Sequence, residues 1–160
     1  MERGFPVNMI RRLAFILLLP ALMILAANAA SNGTRALVLV ASADSPASNL
    51  SVRETRKLYL GVPVENNGIT IKPLLNISDV LLFEVFLQKV TFMSAETYDK
   101  QVLAIVFRLG GQRPEEYRDK MLLYNTLREH REAVTFVWSS DLQHIQGLKP
   151  VSTLWNGDID

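Results

Sequence analysis

The chain has 160 residues, 17 Lys and Arg against 16 Asp and Glu, and an apolar share of 49%. That share excludes a disordered charged tail, and the balanced charge lacks the basic excess of a nucleic-acid-binding surface. With no cysteine, disulfides, thiolate nucleophiles and Cys-ligated metals are excluded, and two histidines leave little for any other metal site.

Arg3, Arg11 and Arg12 precede an apolar run from Leu13 to Ala27, broken only by Pro20, and Ala27-Asn28-Ala29 follows. A basic start, a short apolar stretch and an A-x-A site predict a secretory signal comprising residues 1–29, cleaved after Ala29. Fifteen apolar residues fall short of the roughly 20 that span a bilayer. The remaining residues, 30–160, carry 14 basic and 15 acidic side chains. They are expected to form one near-neutral secreted domain, with a core large enough to need no staples.

Ala36 to Ala41 is a continuous apolar run and predicts a strand buried on both faces. Residues 42–49 read as a loop. Ser51 with Glu54 predicts a capping box, and Gly61 a helix C-terminus with Pro63 just beyond. Asn66-Asn67-Gly68 predicts a turn, and Ile69 to Leu75 a second strand. Ser78 is expected to cap a helix reaching about Phe92, apolar nearly all round and so buried. Ser94 is expected to cap the next helix, which ends at the Gly110-Gly111 break. Pro114, with Glu115 and Glu116, predicts the first turn of a helix running to about His130. Ala133 to Trp138 reads as a third strand, Ser139-Ser140-Asp141 as a short turn or helix, and Leu148 to Leu154 as a last strand. Strands separated by helices imply an α/β fold with a mainly parallel sheet covered on both faces.

This order resembles the type 2 periplasmic substrate-binding proteins, most nearly the small phosphate-transporter-like ones. The residues that carry the likeness are the strand Leu37-Val38-Leu39-Val40 and the segment from Leu50 to Gly61, which is similar to the family's "Leu-Ser/Thr … Ile-Phe/Tyr-Leu-Gly" helix. Ile69 to Leu74, Ser78 to Val90 and Val106 to Pro114 follow in the family's order. The resemblance covers roughly residues 37–140 and implies a three-layer periplasmic-binding-protein-like lobe, a small anion such as phosphate as ligand, and an ABC-transporter or sensor subunit as partner. Phosphate-binding members place an Arg before a Ser-Gly-Thr turn. Here the stretch is Leu75-Asn76-Ile77-Ser78-Asp79-Val80, with neither that Arg nor that Gly.

The candidate ligand site is the loop after the first strand, with Ser42 and Ser45, together with Asn76, Ser78 and Asp79 after the second. Ligands of open α/β sheets sit beyond the carboxyl ends of the strands, and helix N-termini offer free amides to an anion. Both stretches follow strands, so both are expected on that one edge. Arg108, beside Gly110-Gly111, is a further candidate, because a guanidinium fork suits oxyanions. The simpler roles are a helix cap for Ser78 and a helix C-terminal cation for Arg108. Neither His130 nor His144 belongs to a nucleophile–base constellation, so no enzyme and no cofactor is expected. Two functions follow: a non-enzymatic solute-binding protein, or an interaction module that has lost its ligand and docks on a membrane transporter or sensor subunit.

Overall fold

The computed structural model describes residues 35–158, so the signal segment lies outside the described residues. Five strands form one sheet: β1 (Arg35–Ser42), β4 (Lys72–Asn76), β5 (Glu115–Tyr117), β6 (Ala133–Trp138) and β7 (Leu148–Gly157), in the order β5-β4-β6-β1-β7. β4 runs parallel to β5 and to β6, while β1 is antiparallel to both β6 and β7. Four strands therefore point one way and β1 alone is reversed.

The run in β1 supplies both faces of the sheet, as its sequence required. Leu37, Leu39 and Ala41 enter the larger core with Leu75, Val134 and Phe136. Val38 and Val40 enter the smaller one with Leu74, Tyr117 and Val137. The larger core is covered by α1 (Val52–Tyr59), α2 (Val80–Phe86) with a π turn at Leu87–Thr91, and α3 (Ala95–Leu109). The smaller is covered by α4 (Lys120–Glu129), with Leu142 at the end of α5 (Ser139–Leu142). Phe86 and Phe136 stack at 3.9 Å in the larger core, and Tyr59 meets both edge-on at 4.9 and 5.5 Å.

Local rules account for the element ends. Ser51 and Glu54 form the reciprocal capping box, and Gly61 leaves α1 at φ +86°. Asn67 and Gly68 both have positive φ, which makes the turn a hairpin between β2 (Glu65–Asn66) and β3 (Ile69–Thr70). The expected single strand over 69–75 is thereby divided into β3 and β4. Glu115 to Tyr117 do not open a helix. Pairing of Leu74 with Glu115 and of Asn76 with Tyr117 draws them into the sheet, and α4 starts only after Asp119. The expected helix over 78–92 is an α segment that relaxes into a π turn, and its first turn is open, with Val80 73% exposed.

Candidate functional site

Because β4, β5 and β6 are parallel, their carboxyl ends share one edge of the sheet. The end of β4 is built around Asn76, which is fully buried. Its Nδ2 donates to the Phe136 carbonyl at 3.0 Å, and its Oδ1 accepts from the Ser78 amide at 3.2 Å and hydroxyl at 2.7 Å. The paired register of β4 and β6 ends at Pro73 and Val134, so this amide ties the strands together beyond it. Tyr59 does the same from α1, its hydroxyl lying 3.2 Å from the carbonyls of both Leu74 and Val134. Burial holds the Tyr59 phenol well above its ordinary pKa, so it stays a donor.

The Ser78 hydroxyl is therefore committed to Asn76, and the cap of α2 moves one residue on. Asp79 has the extended backbone of an N-cap, and its Oδ1 accepts from the Leu82 amide at 3.1 Å. Its other oxygen accepts from the Trp138 indole N–H at 3.3 Å. The carboxylate of Asp79 thus sits where a bound anion would meet the start of α2. The start of α4 repeats the arrangement, with Asp119 accepting from the amides of Met121 and Leu122 at 2.7 and 3.0 Å. On the same edge Lys120 pairs with Asp141 at 3.0 Å, which raises its pKa, and the Arg35 guanidinium lies 5.5 Å from the Trp138 ring.

Ser42 and Ser45 are elsewhere. The reversal of β1 carries its carboxyl end to the opposite edge, beside the start of β6 and Lys149. There the Ser42 hydroxyl donates to Asp44, the Ser45 hydroxyl donates to the Arg131 carbonyl, and the Lys149 ammonium donates to the Ser45 carbonyl. The Arg131 guanidinium closes the loop on the Asp44 carbonyl at 3.0 and 3.1 Å. Asp44 is held below its ordinary pKa of 3.8, chiefly by the Ser42 hydroxyl. Arg108 lies in a third place, exposed in the last turn of α3, where Gly110 follows in the left-handed conformation. The expectation of one edge for both loops is therefore corrected. Asn76, Ser78 and Asp79 come together, while Ser42, Ser45 and Arg108 do not join them.

Two concavities lie among the described residues. A groove of about 300 Å³ opens beside the carboxyl end of β4, lined by Ile77, Val80, Phe83, Glu116 and Arg118. A cavity of about 410 Å³ lies at the other end of β4, between Leu58, Ile71, Pro73 and Gly111. His130 pairs with Glu132 at 3.1 Å and His144 with the Ser140 carbonyl at 3.0 Å. Among the described residues no group of three acidic, His or Cys side chains is placed to hold a metal.

No protein-family model and no curated protein sequence matches the chain. Solved structures do, among them a crystal structure of an ABC-type phosphate transport receptor from Vibrio cholerae. The two are 12% identical with a TM-score of 0.45, over 74% of this chain and 46% of the receptor. The chain spans less than half of that receptor's length.

Proposed function

We propose that this chain is a secreted, non-enzymatic, solute-binding-like lobe that acts as a periplasmic interaction module for a membrane transporter or sensor subunit. The observation that carries this reading is the Asp79 carboxylate, which occupies the start of α2 and accepts from Leu82 and Trp138. Asp119 does the same at α4. A free oxyanion approaching either helix would meet a carboxylate instead of open amides. The same edge carries Val80, Leu81, Met121 and Leu122 exposed to solvent. Apolar side chains around helix ends that are already capped suit a protein partner better than a small anion at those ends.

The test is thermal unfolding with millimolar phosphate, sulfate and small carboxylates at constant ionic strength. An unchanged midpoint is expected; a shift of several degrees with one anion returns this edge to ligand binding. The docking half is read by recovery of a membrane subunit from detergent-solubilised membranes of the source organism, where no bilayer remains. Val80→Asp with Met121→Asp is expected to abolish it, and recovery unaffected by that pair would reject this edge as the docking surface. The groove beside Arg118 favours a second reading, in which a small solute with an apolar body binds there. Its volume is at the lower limit of ligand pockets, and Arg118→Ala would abolish such binding.

A further inference from the structure

Away from the carboxyl edge, the π turn ends at an unusual residue. Phe92 adopts the left-handed conformation, φ 58° and ψ 41°, and is 68% exposed. Its amide closes the turn on the Leu87 carbonyl, and the next amide, of Met93, bonds the same oxygen at 3.1 Å. Glycine or asparagine would make this turn without strain, whereas a bulky side chain at positive φ is an outlier. Neither the backbone nor the core requires a phenyl ring at this position. Strained residues and π turns both concentrate at functional sites.

The ring has basic neighbours. The Arg56 guanidinium lies 5.6 Å from its centroid, and Arg53 and Lys57 flank Arg56 on the exposed side of α1. Lys89, in the π turn itself, lies 5.8 Å from the half-buried Trp155 ring. Among the described residues none of these four cations belongs to an ion pair. The one acidic residue on α1, Glu54, is engaged by Ser51. An exposed aromatic wedge beside the half-exposed Arg56, with Arg53 and Lys57 exposed on the same helix and Lys89 exposed three residues before it, combines the two elements of interfacial membrane binding, apolar insertion and attraction to anionic headgroups.

We propose that this face docks on a bilayer rich in anionic phospholipid, with Phe92 entering the interface and Arg53, Arg56, Lys57 and Lys89 meeting the phosphates. The charge complementarity selects the lipid surface, and the assignment is independent of the function proposed for the carboxyl edge.

The absence of cysteine permits a clean reporter. Gln88, exposed beside Lys89, is replaced as Gln88→Cys in the full chain and labelled with an environment-sensitive dye. Vesicles of phosphatidylglycerol and phosphatidylcholine in equal parts are expected to shift its emission to the blue, and pure phosphatidylcholine vesicles to leave it unchanged. Because the dye sits on this face, it reports there however residues 1–34 engage the lipid. Arg53→Gln and Lys57→Gln are each expected to weaken the apparent affinity about fivefold. Phe92→Gly removes the wedge and relieves the backbone, so it should abolish the shift while the unfolding midpoint holds or rises. A dye unmoved by anionic vesicles, or a shift independent of lipid charge or of Phe92, overturns the proposal. A response to an acidic peptide with none to vesicles also overturns it and assigns the face to an acidic protein.

Discussion

Removing the Asp79 carboxylate tests the central feature of the carboxyl edge. Asp79→Ala deletes the cap of α2, which costs about 1 kcal/mol. It also leaves the indole N–H of Trp138 without an acceptor on a residue only 5% exposed, which costs about 1–3 kcal/mol more. A total of about 3 kcal/mol in a domain of this size lowers the unfolding midpoint by about 10 °C. Asp79→Ser separates the two parts, since a serine hydroxyl can cap the helix without reaching the indole, and about half the loss is expected. The internal-anion argument adds a second readout. With the carboxylate gone, the Leu82 amide and the positive end of α2 are open, so phosphate should restore part of the midpoint in Asp79→Ala. Phosphate also stabilises proteins generally by exclusion from their surface, so the quantity that counts is the rise in the variant beyond that of the wild type. Far-UV circular dichroism during a thermal scan measures all three proteins. A loss below about 0.5 kcal/mol in Asp79→Ala, or a phosphate response larger in the wild type than in the variant, would refute the reasoning.

Three further predictions concern the scaffold. Burial raises the pKa of Tyr59 and of Tyr98 above the ordinary 10.0, so the folded state holds their protons more tightly than the unfolded chain. Stability is therefore full below pH 10 and falls above it, by about 1.4 kcal/mol per pH unit for each phenol; urea titrations along a pH series should show a shallower fall in Tyr98→Phe, and an unchanged slope rejects the account. Ser42→Ala removes the main cause of the low Asp44 pKa, so the carboxyl should titrate closer to 3.8 in a carbon-detected NMR experiment, and an unmoved value would contradict the Ser42 contact. A Cβ at Gly111 would run into the Gly61 carbonyl oxygen, whereas one at Gly110 meets open space but sits at φ +68°. Gly111→Ala should cost more than the roughly 1 kcal/mol expected of Gly110→Ala, and the reverse order in denaturant midpoints would falsify the close backbone approach.

The parts of the fold legible in the sequence are those set by local rules. The apolar run of β1, the Ser51–Glu54 box, the Ser94 and Gly110 ends of α3 and the strand at Ala133–Trp138 are all determined within a few residues. What was not legible depends on distant partners. Glu115–Tyr117 has the composition of a helix start, yet pairing with β4 makes it a strand, and the Arg113 bridges to Asp99 and Glu116 hold it there. The cap of α2 shifted from Ser78 to Asp79 because Asn76, buried at a strand end, claimed the serine hydroxyl. The direction of β1 is the least legible feature. An apolar run has no polarity, so nothing in Leu37–Val40 says which end faces the ligand edge, and the residues expected to share one site lie on two edges of the sheet. Asp119 was findable, being an Asp directly before an amphipathic run.

What Asp79 does at α2 is repeated along the carboxyl edge. In an α/β sheet this edge is where unpaired helix amides collect, and those amides are what an anion uses. Here the amides behind α2 and α4 are met by Asp79 and Asp119, and the Lys120 ammonium is met by Asp141. Each pairing removes a donor from the set available to a ligand, and each leaves its neighbouring first-turn side chains, Val80 and Leu81 or Met121 and Leu122, as the accessible surface. An edge whose helix-end donors are satisfied from within, and whose first-turn side chains are exposed and apolar, gains little by closing on a small ion at those helix ends. It gains the full burial term, about 25 cal/mol for each Å² of apolar surface, by closing on another protein. Restoring the donors with Asp79→Ala and Asp119→Ala together should therefore move the edge toward anion binding, while the apolar side chains that would meet a protein stay in place. A double variant that binds phosphate no better than the wild type would show that these two carboxylates are not what closes the edge to anions.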